Sequence, residues 1–100
     1  MSFNKQKDEN NWTFLTNHAH VLLCLAKSSS MRIRDIAIAV GITERAVQRI
    51  IAELTESGYI DIIKEGRRNI YKLHFDMPLK HPIESHRNIS DLIGLIYDPA

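Results

Sequence analysis

Five histidines and a single cysteine are the side chains of this sequence best suited to hold a metal ion or act as a nucleophile, and their spacing argues against both roles. His18 and His20 stand two residues apart, which on a helix points them away from each other. His81 and His86 are five apart with Pro82 between them, and no Asp or Glu stands at helical spacing from two histidines to complete a set. Cys24 can form no internal disulfide, and its solitude excludes zinc sites built on cysteine pairs. Within an apolar helical stretch it reads as a small buried hydrophobe rather than a redox switch. No Gly-rich phosphate loop, nucleophile elbow or Ser/His/Asp grouping is present. The expectation is therefore no metal, no cofactor and no enzymatic activity, an ion shared between two subunits being the one metal reading left open.

A second kind of chemistry is better served. Val47, Ile50, Ile51 and Leu54 recur at the spacing of one buried helical face. At about 100° per residue, Arg45, Arg49, Ala52 and Glu56 lie opposite that face, with Gln48 and Glu53 flanking. Arg can bond bidentately to the edge of guanine and Gln to that of adenine. Ala52 keeps the surface between them low enough for close approach, and the acids come later along the helix. Thr43, whose hydroxyl suits the N-cap, and Glu44 in the first turn complete the base-facing candidates. Glu44 can oppose the helix dipole or accept from cytosine. A second basic group, Lys64, Arg67 and Arg68, brackets a Gly-containing loop with Lys72 on the returning strand, and Arg32 and Arg34 stand at the start of the first candidate helix of the pair. Such side chains contact phosphate, which positions a protein without reading sequence. Taken alone, two arginines one turn apart are an ordinary solvated face; their setting changes the reading.

That setting is a run of short elements. A helix is expected from Asn17 to about Lys27, capped by Thr16, with Ala19, Leu22, Leu23 and Ala26 on one face and Val21 and Leu25 widening it. Met31-Arg32-Ile33 reads as a brief strand, and Arg34 or Asp35 opens the next helix, which Gly41 ends. The third helix runs over about 43–57 and stops at Ser57-Gly58. From Tyr59 the period changes: residues 59–64 and 69–74 are rich in β-formers around Glu65-Gly66-Arg67-Arg68, a β-hairpin pattern. Pro82 suits the first turn of a last helix that includes Ile83, residues 88–92, Ile93, Leu95 and Ile96.

Between Arg32 and Ile51 each position that a helix-turn-helix constrains holds a suitable residue. Ala37 is the small residue where the helices touch, Gly41 the turn, and Ile36, Val40, Ile42, Val47 and Ile50 the apolar pins. With the Gly58-Tyr59-Ile60 junction and the basic-tipped hairpin, the stretch resembles winged helix-turn-helix regulators of the MarR and ArsR type. The runs Trp12 to Ala19 and His81 to His86 add to the likeness, which covers residues 12–96. The resemblance implies a third helix in the major groove, a wing over about 59–74 on the backbone or minor groove, and two copies on a near-palindromic site.

The bulk properties fit without deciding. The chain has 100 residues, 44% hydrophobic and 25% charged, about one domain's worth. Net charge is +1, but residues 31–74 hold eight Lys or Arg against six Asp or Glu, and residues 75–100 two against four. No apolar run approaches the roughly 18 residues of a membrane span and the start is unlike a signal peptide, so a cytoplasmic protein is expected. The expected fold is α+β, mainly α: a three-helix core with a two-stranded wing and an additional C-terminal helix. Residues 1–11 read as a flexible tail, 12–76 as the winged unit, and 77–100 as a dimerising segment. Trp12, Phe14 and Leu15 and the stripe Ile89, Leu92, Ile93 and Ile96, with Leu95 beside it, are the candidate homodimer surface. The alternative for that last helix is packing on its own first helix. The expected partner is double-stranded DNA, with no membrane; the alternative function is a winged-helix protein-interaction module. A small-molecule effector would have to sit between subunits, because the chain is short for a pocket of its own.

Overall fold

The computed structural model describes residues 11–97, so the tail expected over 1–11 lies, but for Asn11, outside the described residues. Helix α1 spans Asn17–Lys27, α2 Ile33–Val40 and α3 Glu44–Glu56; strands β1 (Ile60–Glu65) and β2 (Arg68–Leu73) follow, then α4 (Ile89–Tyr97). Threonines start two of the helices. The hydroxyls of Thr16 and Thr43 accept from the backbone N–H groups of Ala19 and Ala46 at 3.2 and 3.0 Å. Each satisfies one of the donors that a helix leaves without a partner at its start.

Gly41 makes the corner between α2 and α3. Its φ of 85° lies in the left-handed region that a Cβ disfavours, and its N–H and that of Ile42 both return to the Ala37 carbonyl, at 2.8 and 3.1 Å. The two helices then meet over Ala37, and Ile36, Val47 and Ile50 close behind it, all buried. Val21, Leu22 and Leu25 of α1 complete a three-helix core, which Tyr59, Ile60, Tyr71 and Leu73 of the hairpin extend. Burying one such aliphatic side chain contributes about 1.5–3 kcal/mol, so this cluster is the principal source of stability.

The hairpin pairs Ile60 with Leu73 through Glu65 with Arg68, antiparallel throughout. Gly66, at φ 64°, is the first of the two turn residues, the position at which tight hairpins require a left-handed backbone.

Two expectations need correction. Met31-Arg32-Ile33 forms no strand: Arg32 is the N-cap of α2, which begins at Ile33, ahead of Arg34 and Asp35. The wing touches this loop through single bonds, from the Tyr71 N–H to the Ser29 carbonyl at 2.8 Å and from Arg68 Nη2 to the Ser30 carbonyl at 3.4 Å. With one backbone bond there is no ladder to compete with the helix for residues 31–33. The last helix does not start at Pro82 either. Residues 81–86 are turns with Ile83 exposed, and α4 starts after Asn88, whose side chain and backbone exchange bonds of 3.0 Å with Asp91. That reciprocal cap fixes the start where Pro82 alone does not.

The same helix packs much of its apolar stripe against the rest of its own chain. Ile89 is buried in the core and Leu92 and Ile93 pack on it, while the Tyr97 hydroxyl donates to the Leu23 carbonyl of α1 at 2.9 Å. Leu95, Ile96 and Tyr97 remain exposed. No helix among the described residues is long and apolar enough to cross a membrane.

Candidate nucleic-acid interface

Helix α3 is divided cleanly. Val47, Ile50, Ile51 and Leu54 are buried, while Glu44, Arg45, Gln48, Arg49 and Ala52 are exposed on the other side. No carboxylate among the described residues lies within 4.0 Å of Arg45 or Arg49, so both keep their donors for an outside acceptor. Of the helix's acids, Glu44 shares the exposed side at the helix start and Glu56 lines the groove toward the wing, while Glu53 is drawn off. Glu53 Oε1 lies 2.6 Å from His18 Nε2 of α1, which turns that carboxylate toward the α1 side of the molecule. Thr43 is exposed but its hydroxyl is engaged in the cap, so its oxygen is committed to the backbone before any ligand arrives.

The wing stands beside this face. A groove of about 440 Å³ separates the two, with Gln48, Ile51, Ala52 and Thr55 on the helix side and Ile62, Asn69 and Tyr71 on the wing side. Directly opposed residues share a face of an antiparallel pair. The register therefore puts Lys64 with Ile62 and Asn69, toward α3. Lys72 sits opposite Asp61 on the other face, where Asp61 also bonds His74 at 2.8 Å. The register thus separates Lys72 from Lys64 and places it on the same strand face as Arg68, four residues nearer the core end of the hairpin. Arg32, Arg67 and Arg68 it brings together: all three line a second groove of about 280 Å³ with Ser30, Asn69 and Tyr71. Arg34 is exposed on α2 but takes no part in that groove. Ser30 and Asn69, which line it, gave no sequence signal of their own; the register and the loop contact create their role.

Among the described residues no group of three His, Cys, Asp or Glu side chains is placed to hold a metal ion. Burial pushes the Cys24 thiol above its ordinary range, which keeps it protonated and unreactive at neutral pH. Burial, with the nearby Glu84 charge second, likewise raises Tyr59, whose hydroxyl donates to the Pro78 carbonyl. A third groove, of about 550 Å³, lies between α1, the end of α3 and residues 79–92. The connection after β2 folds back across Tyr59 and creates that space.

A family model of winged helix-turn-helix DNA-binding domains matches residues 16–61, from the cap of α1 to the second residue of β1. The fold is a winged helix-turn-helix. Solved structures agree. AdcR, the adhesin competence repressor of Streptococcus pyogenes, is 21% identical with a TM-score of 0.58, over 95% of this chain and 66% of that one. MepR, a transcription regulator of the multidrug efflux pump MepA of Staphylococcus aureus, is 20% identical with a TM-score of 0.52, over 71% and 53%. SPO1453, a MarR family transcriptional regulator of Silicibacter pomeroyi, is 18% identical with a TM-score of 0.50, over 72% and 51%. This chain thus spans about half to two thirds of the length of these structures, and at such identities the likeness is one of fold. No curated protein sequence matches the chain.

Proposed function

We propose that this winged helix-turn-helix binds double-stranded DNA sequence-specifically and regulates transcription. One observation carries the reading. The N-terminal half of α3 presents Arg45, Gln48 and Arg49 to solvent without carboxylate partners, directly beside the groove that the wing borders. In this reading α3 enters the major groove, where Arg45 and Arg49 bond guanine and Gln48 bonds adenine, with Glu44 and Thr43 at the helix start. Lys64, Arg67 and Arg68 on the wing and Arg32 and Arg34 on α2 contact the sugar–phosphate backbone, Lys72 being the least favourably placed. The similar structures named above, each a transcription regulator or repressor, support the same reading.

The working unit is a homodimer. Phe14 is 92% exposed and Leu95 76%, with Trp12, Ile83 and Ile96 also in solvent. Apolar side chains in that number near both ends of the described chain favour a covering subunit, and one helix-turn-helix alone reads few bases. The segment 77–97 serves that interface through Leu95 and Ile96, since Ile89, Leu92 and Ile93 belong to the subunit's own core.

Selection of bound duplexes from a random pool at fixed salt tests the reading. Enrichment of a near-palindromic site with half-sites about one helical turn apart is expected. Retention no better than for random duplexes would leave sequence-specific binding without support.

A further inference from the structure

We propose that Arg32 and Arg67 close on one and the same phosphate group, so that the start of α2 and the wing tip form a single binding site rather than two. The inference rests on the DNA-binding reading above and specifies how the backbone is held. Arg32 and Arg67 come from elements 35 residues apart in sequence, yet both line the groove of about 280 Å³ with Ser30, Arg68, Asn69 and Tyr71. No carboxylate among the described residues lies within 4.0 Å of either guanidinium. Like charges gathered without counter-charge repel one another, and an anion between them removes that cost. Arg presents a planar fork that matches phosphate oxygens two at a time, so a tetrahedral anion is the group this pair suits.

Arg68, besides any backbone contact of its own, has a second part at this shared phosphate. Its Nη2 donates to the Ser30 carbonyl at 3.4 Å, and the Tyr71 N–H to the Ser29 carbonyl at 2.8 Å. These bonds tie the wing to the loop that carries Arg32, so the backbones bearing the two arginines are held side by side before a ligand arrives. Arg68 is a positioning residue here. The size of the site also limits its occupant: about 280 Å³ falls just below the roughly 300–1,000 Å³ of pockets that enclose drug-sized molecules. A single phosphate on a longer polymer fits such an open site better than a whole metabolite. Its neighbour, the groove between α3 and the wing, shares Ile33, Asn69 and Tyr71 with it, so a DNA strand following α3 passes its mouth. A backbone phosphodiester is the source this placement favours; a free phosphorylated molecule is the other.

The test pairs protein variants with DNA lacking one charge at a time. The full chain, Arg32→Ala and Arg67→Ala are titrated with duplexes of the selected site in which successive phosphates are replaced by methylphosphonate. One replacement should weaken the unmodified protein about ten-fold, the size of a lost charge-assisted bond. At that same phosphate both variants, already weaker, should lose about two-fold or less. Insensitivity of the two variants at different phosphates, or undiminished sensitivity at all of them, overturns the shared site while leaving DNA binding intact. Absence of DNA binding by the unmodified protein instead fails the functional reading and this one with it. Thermal unfolding in inorganic phosphate against chloride of equal ionic strength separates the sources. A stabilisation that Arg32→Ala removes, with no methylphosphonate effect, assigns the site to a free ligand and overturns the backbone assignment. For Arg68, the Lys variant should keep the shared phosphate and the Ala variant should abolish the sharing.

Discussion

The corner between α2 and α3 and the connection from β2 to α4 both reverse the chain, and they do so by opposite means. At the corner every bond is local: Gly41 to Ala37 at 2.8 Å, Ala46 to Thr43 at 3.0 Å. The connection is held by bonds between its two ends, from the Ile89 N–H to the Met77 carbonyl at 3.0 Å and from the Ser90 N–H to the Phe75 carbonyl at 2.9 Å. The corner hides Ile36 and Ala37 and exposes mainly polar side chains besides Ile38, whereas the connection leaves both Phe75, 54%, and Ile83, 80%, exposed. The first region buries its turn locally and presents its polar side to solvent. The second leaves more of its apolar surface uncovered, which is where the proposed homodimer would be tested.

Substitutions can break that contrast or sharpen it. The largest effect is expected from Ile50→Ala, which empties a site 1% exposed at the centre of the three-helix core. A loss of about 2–5 kcal/mol in urea unfolding is expected. A loss under about 1 kcal/mol would mean that the helix-turn-helix does not share its core with α1. Arg49→Ala comes next: specific binding weakens by about 1–3 kcal/mol while binding to random duplex is nearly unchanged and stability is kept. An equal loss on both duplexes makes Arg49 a phosphate contact. Gly41→Ala forces a Cβ into a left-handed backbone and should cost about 1–2 kcal/mol of stability. Unchanged unfolding there would show that the corner can be made another way. Smallest in stability, within about 0.5 kcal/mol, is Leu95→Ser on the exposed side of α4. Light scattering should nevertheless show a dimer in the parent and a shift toward monomer in the variant; two identical molecular masses would remove Leu95 from any interface.

The helix-turn-helix was legible because its signals are short-range. Thr16, Gly41 and Thr43 act within four residues of themselves, and the stripes of α1 and α3 need only helical periodicity to be read. The β-hairpin was legible in outline for the same reason, from two β-forming runs around Gly66. The arrangement of the cations was not. That Arg32 joins Arg67 while Lys72 turns away depends on register and on the bonds to Ser29 and Ser30, which link residues about 40 apart. The missing strand at 31–33 and the late start of α4 have a related cause: β-forming composition and a proline are weak local cues, outweighed here by the α2 start and the Asn88–Asp91 cap. That cap is written in the sequence as Asn-x-x-Asp and could have been found there.

The hairpin register has a further implication for how such a protein can change over generations. Opposed residues from Ile60–Leu73 to Glu65–Arg68 alternate strictly between the face toward α3 and the face away from it. Adding one residue to each strand would carry Gly66 and Arg67 outward by about 3.3 Å but would also turn the tip over, so that its basic side faces away from the nucleic acid. Adding two to each strand moves the tip about 6.6 Å and keeps its orientation. The reach of the wing is therefore adjustable only in paired steps, like the teeth of a ratchet, and length variants that keep function should differ by four residues in all.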